Sequence, residues 1–428
     1  MSFNLLRAAI AMLLACSRLA AIIAALSVCT VPTSAYAQST QPIRIGLSIA
    51  QTGPLSSGGK SGLVALEIWR DDVNARGGLL GRPVELVVYD DQGNPSMTPG
   101  IYTKLLDVDK VDLLIGPYGT NPTAPIMPLV KQRNLLLIGN FAFDINGRIR
   151  HDKYFNNMPW GVSAKDAGAP FLGLCRQLGA KTIAILAADT EFAQALAGGI
   201  RAGLKDYGLQ PVYDQNYPPN TVEFSSMIRA IRAKSPDVVF VASYPSDSTA
   251  IIRAMNEIGI GDGVKLFGGG MVGLQYTSIM ESLGSMLNGV VNYHTWVPEK
   301  TMDFPGMREF LTRYQAKAKQ ANVDPLGFYL PPFDFAIGQI LAQAVIATGS
   351  LDHKVLAKYL REHEIKTIVG NIRYGPTGEW ANPRIVYVQF REVADKNLEQ
   401  FRSAGKQVIV APEAFKTGEV NTFNRARN

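Results

Sequence analysis

The chain has 428 residues, 47% of them hydrophobic and 18% charged, with a formal net charge of +6, three cysteines and four histidines. So much apolar content excludes a disordered chain, and so mild a charge supports no nucleic-acid partner. The length exceeds one ordinary core and suits two domains.

Residues 1–37 read as a secretory signal: Arg7, apolar runs from Ala8 to Cys16 and Leu19 to Val31, then the small-residue site Ala35-Tyr36-Ala37, which predicts cleavage before Gln38. A retained anchor is the competing reading, but Arg18 interrupts the apolar stretch and the later run falls short of the roughly 20 residues of a span. Leu26-Ser27-Val28-Cys29 resembles a lipobox only faintly, because valine precedes the cysteine, so lipid anchoring is not expected. The mature chain would be exported, its charge falling to +4 as Arg7 and Arg18 leave. It keeps one cysteine, Cys175, which allows no internal disulfide; the setting FLGLCRQLG predicts a buried helix face.

From Ile43 to Pro95 the sequence reads as strand, glycine-rich loop, helix, glycine turn and second strand, a βαβ unit. Ile43, Ile45, Leu47 and Ile49 alternate with small or polar residues, whereas Leu63, Leu66, Trp69 and Val73 recur at helical spacing until Gly77, Gly78 and Gly81. Further strands are expected at Val84 to Tyr89, Val111 to Ile115, Leu135 to Ile138, Thr182 to Leu186, Val238 to Val241 and Val264 to Phe267. Helices are expected at Thr98 to Val108, Ala164 to Leu178, Phe192 to Tyr207, Phe224 to Ala233 and Ser248 to Ile258. The alternation is that of a doubly wound α/β sheet, occurring twice, and small ligands bind such sheets at the carboxyl ends of their strands.

The runs NARGGLLGRPVELVVYDDQGNP, VDLLIGPYGT and LLLIGNFAF, in that order, resemble the substrate-binding proteins of ABC importers in the branched-chain amino acid (Leu/Ile/Val) family, and the similarity extends from about Ile43 to Glu392. The resemblance implies the type I periplasmic binding protein fold: α/β, two Rossmann-like lobes joined by a three-strand hinge. Crossings are expected near Met158 to Ser163, Asn292 to Val297 and Tyr374 to Asn382. Lobe 1 would comprise 43–160 plus 295–375 and lobe 2 161–294 plus 376–415, with 416–428 a C-terminal tail; the segment from Asn397 to Asn428 is expected to pack on a lobe surface. A disulfide of some family members falls on Gly93 and Gly119 and is lost as a pair.

The resemblance also implies a pocket. In the loop Gly116-Pro117-Tyr118-Gly119-Thr120, Thr120 matches a hydroxyl that grips the ligand carboxylate beside main-chain N–H groups, with Tyr118 and Gly119 flanking it. A plain helix N-cap is the competing role for Thr120. After the next strand come Phe141, Ala142 and Phe143, with Phe143 where the family offers a second hydroxyl. Phe192 and Tyr244 match aromatic positions of the second lobe, and these could equally be core. Met271 falls where amino-acid binders carry a glutamate that pairs with the ligand ammonium; an unpaired buried ammonium costs several kcal/mol, so an α-amino acid is disfavoured unless Asp189 or Asp247 substitutes. The first-loop aromatic of those binders falls at Gly58, which would leave room. The expected ligand is a small carboxylate or amide with an apolar or aromatic body, with branched-chain or other amino acids second.

Other motifs reduce to structure. Pro54 to Ser61, P-L-S-S-G-G-K-S, differs from a phosphate-binding loop by its leading proline, which has no N–H to donate. The histidines His151, His294, His353 and His363 show no metal-ligand spacing, no G-x-S-x-G is present, and Asp71-Asp72 and Asp90-Asp91 are not placed across a substrate. The function expected is therefore that of a periplasmic receptor without catalysis, metal or cofactor, partnered by a small solute and a membrane permease. A clamshell sensor and a secreted hydrolase are the rivals.

Overall fold

The computed structural model describes residues 41–423; the expected signal, its cleavage site, Cys29 and residues 424–428 lie outside the described residues. Ile43–Ser48 forms β1, and Ile43, Ile45, Leu47 and Ile49 are fully buried. Beside β1 lie β2 (Val84–Tyr89) and β3 (Leu113–Tyr118), followed by β4 (Leu137–Asn140) and β5 (Tyr154–Asn156), all parallel, in the order β2-β1-β3-β4-β5.

The second sheet gathers β6 (Thr182–Ala188), β7 (Gln210–Tyr217), β8 (Val238–Ser243), β9 (Leu266–Met271) and β10 (Val291–His294) in parallel. A short hairpin, β11 (Ile365–Thr367) and β12 (Gly370–Ile372), precedes β13 (Val386–Phe390) and β14 (Gln407–Ala411), which close the order β14-β13-β10-β9-β8-β6-β7 antiparallel to their neighbours. The chain thus passes between the sheets three times: after β5, after β10 and before β13. Each sheet sends successive connections to opposite sides of its first strand, so a switch point lies between β1 and β3 and another between β6 and β8. Crevices for small ligands open at such points.

Close approaches explain several glycines. A Cβ at Gly338 would lie 2.1 Å from the Trp69 ring, so the helix Leu330–Thr348 can lie directly on Ser56–Ala75. Leu330–Thr348 is long and apolar enough to cross a membrane, but 78% of its apolar window is buried inside the protein, as befits a core helix. β9 runs on through its glycines, past the expected end at Phe267, because Gly269 and Gly270 leave space for Phe240 and Leu196.

The chain also departs from expectation at 54–61. Helix Ser56–Ala75 begins at Ser56, so most of the phosphate-loop look-alike is helical, and Gly59 serves close approach to the Ala50 carbonyl. Cys175 is buried on Ala164–Gln177, where burial pushes its thiol pKa up. At the other end Phe423 is buried against Phe267 and donates its N–H to the Lys265 carbonyl, tying the terminal segment to the second sheet.

Candidate functional site

β3 ends at Tyr118, and after Gly119 a short helix, Thr120–Thr123, begins. Gly119 has φ +101°, a conformation only glycine adopts readily, and its N–H is already given to the Asn140 carbonyl. Thr120 is not the N-cap. It is the first helical residue, and its buried hydroxyl accepts the Phe143 N–H at 2.9 Å, which fastens β3 to the segment after β4. The Thr120 O–H remains able to donate.

The segment after β4 is held by side chains. Phe141 sits at φ +55°, strained for a bulky residue, and its N–H bonds Asn157 Oδ1 at 2.9 Å. Its ring meets Tyr329 and Phe333 edge-on, each at 5.2 Å. Ala142 turns the other way: its carbonyl accepts from the Tyr154 hydroxyl and Asn156 Nδ2, and it packs in a separate cluster with Ile145 and Leu137. Phe143 packs on Trp160 at 4.8 Å and Phe192 at 6.2 Å.

These elements enclose a cavity lined by Tyr118, Gly119, Thr120 and Phe141 from the first lobe and Phe192 and Tyr244 from the second, completed by Leu55, Met158, Val272 and Tyr329. Its free volume is about 20 Å³, room for a single water. An aromatic occupant must therefore push rings aside or part the lobes. No lining residue is ionisable as an acid or base at neutral pH. Burial raises the hydroxyl pKa values of Tyr118, Tyr276 and Tyr293, and that of Tyr329 to about 12, so all four remain neutral.

Of the residues expected in the pocket, Ala142 and Met271 lie outside the lining, and Phe143 lines the neighbouring groove instead. Met271 is fully buried, its N–H and carbonyl both taken by Asn292, so the next residue, Val272, reaches the cavity. Neither candidate acid reaches it. Asp189 is exposed, and Asp247 accepts the Tyr217 hydroxyl inside lobe 2, where burial raises its pKa. Gly58 leaves no room either. Tyr276 Oη and Leu330 Cδ1 would each lie 2.9 Å from a Cβ there, and Tyr276 crosses from the second lobe to place its hydroxyl 2.8 Å from that of Tyr118.

Three more contacts cross the cleft. The Phe192 N–H donates to Asn121 Oδ1 at 3.2 Å, Asp324 accepts the Thr277 hydroxyl at 2.8 Å and its N–H at 3.3 Å, and Arg148 pairs with Glu191 at 3.1 Å. The Arg148–Glu191 pair borders a groove of about 350 Å³ that shares Thr120 with the cavity.

The acid pairs serve the frame: Asp71 and Asp72 meet Lys317 and Arg313, while Asp90 and Asp91 brace Thr52 and Ser48. Among the described residues no three His, Cys, Asp or Glu side chains come together as a metal site.

A profile described as "Periplasmic binding protein" matches residues 42–393. The chain belongs to that family. This periplasmic binding protein is a solute-binding receptor of the kind that serves ABC importers, and it is 27% identical to a Leu/Ile/Val-binding protein homolog 7 of Brucella abortus (strain 2308) over 92% of this chain and 98% of the relative. Two solved structures share its fold. The leucine binding protein of Thermotoga maritima MSB8 superposes with a TM-score of 0.71 at 17% identity, covering 82% of this chain and 96% of that one. An R. palustris solute binding protein in complex with benzoate gives 0.69 at 18%, covering 88% and 98%.

Sequence reasoning missed Leu55, Met158, Val272 and Tyr329. Two signals were available: Met158 opens an expected hinge crossing, and Tyr329 stands just before the Pro331-Pro332 helix start.

Proposed function

We propose that the mature receptor, exported after loss of 1–37 and carrying no lipid anchor, binds a small carboxylate or amide with an aromatic or apolar body. Lobe 1 (43–160 plus 295–375) and lobe 2 (161–294 plus 376–415) part and close on it, and the liganded form is handed to an ABC permease without catalysis. One observation carries the ligand class: an aromatic lining without a carboxylate, with the Thr120 hydroxyl as a donor for an anion.

An α-amino acid would bring its ammonium into this lining unpaired, at a cost of several kcal/mol, while micromolar binding totals only about 8 kcal/mol. The benzoate held by the R. palustris protein supports the aromatic reading, and the names of the Leu/Ile/Val-binding relatives favour the amino-acid alternative. Thermal melting against benzoate, benzamide, leucine and valine separates them. A ligand at 100 times its dissociation constant adds about 2.7 kcal/mol, so benzoate or benzamide should raise the midpoint by several degrees. A rise with leucine or valine alone would favour the alternative.

A further inference from the structure

Beneath the cavity lies an acid that neither packing nor the ligand contacts require. Asp334 stands near the start of the helix Leu330–Thr348 and is wholly buried. Its Oδ1 accepts Asn140 Nδ2 at 2.7 Å, while its Oδ2 and Asn140 Oδ1 are left without partners. A carboxyl and a carboxamide placed face to face close a ring of two hydrogen bonds once the carboxyl carries its proton on Oδ2. Asparagine in its place would fill the same space and pair with Asn140 equally, so packing does not ask for an acid.

Among the described residues no cation pairs with Asp334. Gly62, on the helix Ser56–Ala75, lies so close that a Cβ there would come within 2.3 Å of Oδ2. The titratable groups that face Asp334 are the hydroxyls of Tyr314, on the helix Met307–Ala321, and of Tyr329, and burial keeps both neutral. Burial acts on the carboxyl in the same sense: offset only in part by the Asn140 amide, it holds the pKa at about 8.

Asp334 is one layer away from a bound solute. Asn140 gives its carbonyl to the Gly119 N–H and is followed by Phe141, and both Gly119 and Phe141 line the cavity. Phe333, just before Asp334, stands edge-on to Phe141 at 5.2 Å, and its carbonyl accepts from Asn157 Nδ2 at 3.2 Å. Asn157 Oδ1 in turn holds the Phe141 N–H. An anion at Thr120 would thus share a water-poor interior with Asp334, where like charges repel far more than in water.

We propose that Asp334 sets the charge the cleft accepts: with its proton it leaves the floor of the cavity neutral and admits a carboxylate, and without it the same site turns a carboxylate away. The assignment rests on the carboxylate reading above and adds the regulation of that site by pH. When an anion enters above an ionised Asp334, one proton passes from solvent to Oδ2 and is shared with Asn140 Oδ1.

Calorimetric titration of the mature protein with benzoate and with benzamide at pH 6 and pH 9 tests this, because the first probe is charged and the second neutral at both values. If only the protonated form binds an anion, benzoate affinity should fall about tenfold between them, following the share of Asp334 that keeps its proton, while benzamide should change by less than about threefold. Near pH 8 benzoate binding should take up a fraction of a proton, read as heat that depends on the ionisation enthalpy of the buffer. Asp334→Asn should bind benzoate within about threefold of the wild type at pH 6, keep that affinity at pH 9 and take up no proton. Benzoate affinity that is equal at both values, with no proton uptake, would overturn the assignment and leave the ligand class standing. A fall shared by benzamide, or one that persists in Asp334→Asn, would also overturn it, by tracing the effect to another group. Binding of neither probe would overturn the ligand class and the charge rule together. Should the variant fail to fold, proton uptake by the wild-type protein decides alone.

Discussion

Thr120 carries a structural bond and, under the proposed function, a ligand contact, and the two separate by substitution. Its oxygen accepts the Phe143 N–H, which in that proposal leaves its proton for a bound anion. Thr120→Ala should weaken benzoate binding by roughly 10- to 100-fold and, by orphaning a buried N–H, lower stability by about 1–2 kcal/mol. Thr120→Ser keeps the oxygen and should retain most of both, read by titration and urea unfolding. Equal affinity of the alanine and wild-type proteins would remove Thr120 from the site. Asp334 shows a different economy at the same scale. Burial, offset in part by the Asn140 amide, pushes its pKa up to about 8. Asp334 Oδ2 and Asn140 Oδ1 are both left without partners, and these are the atoms a protonated carboxyl would join. The folded protein then holds a proton that the unfolded chain releases near pH 4. Stability should therefore fall as pH rises between about 4 and 8, and Asp334→Asn should flatten that slope. Urea midpoints at pH 5 and 8 decide it: the variant should be the more stable protein at pH 8, and a loss there would contradict the assignment.

At the scale of elements, the cleft is fastened by unlike contacts. Asp324 reaches from the first lobe to the start of helix Thr277–Leu283 in the second, a cap supplied across a gap. Asp324→Ala should speed benzoate release about three- to tenfold, as loss of a cap worth about 1 kcal/mol implies. Arg148→Ala should change release less than twofold, since exposed pairs contribute little. Stopped-flow release rates check both, and indifference to Asp324 would show that this contact does not hold the lobes. Much at this scale could be read from the chain: the alternation in β1, the helix ended by Gly77 and Gly78, and the strand ends carrying Tyr118, Thr120, Phe192 and Tyr244. Contacts arriving from the opposite lobe could not. Gly58 reads locally as added room, and Tyr276, which fills it, lies 218 positions later with no pattern linking the two. Met271 and Val272 show the other limit, because β9 ends at Met271 and Val272 opens the short helical turn after it, so the residue that faces the cleft is set by where the strand stops, which the glycines before it do not mark.

At the scale of the whole molecule, two sheets put their switch points against one aromatic cavity, and under the proposed function the three crossings would let the lobes turn as bodies. Because the free space is only about 20 Å³, binding has to be coupled to rearrangement, either of the rings or of the lobes. Small-angle scattering should show the radius of gyration changing with saturating ligand if the lobes move; an unchanged curve with full binding would confine the movement to the rings. The central claim, an uncharged aromatic cleft that takes an acid and not an ammonium, is tested most directly by calorimetric titration of the mature protein with benzoate and, separately, with leucine. Benzoate should bind at micromolar concentration or below with leucine at least a hundredfold weaker, the ratio that about 2.7 kcal/mol of unpaired charge sets. Tight leucine binding with no heat from benzoate would contradict it.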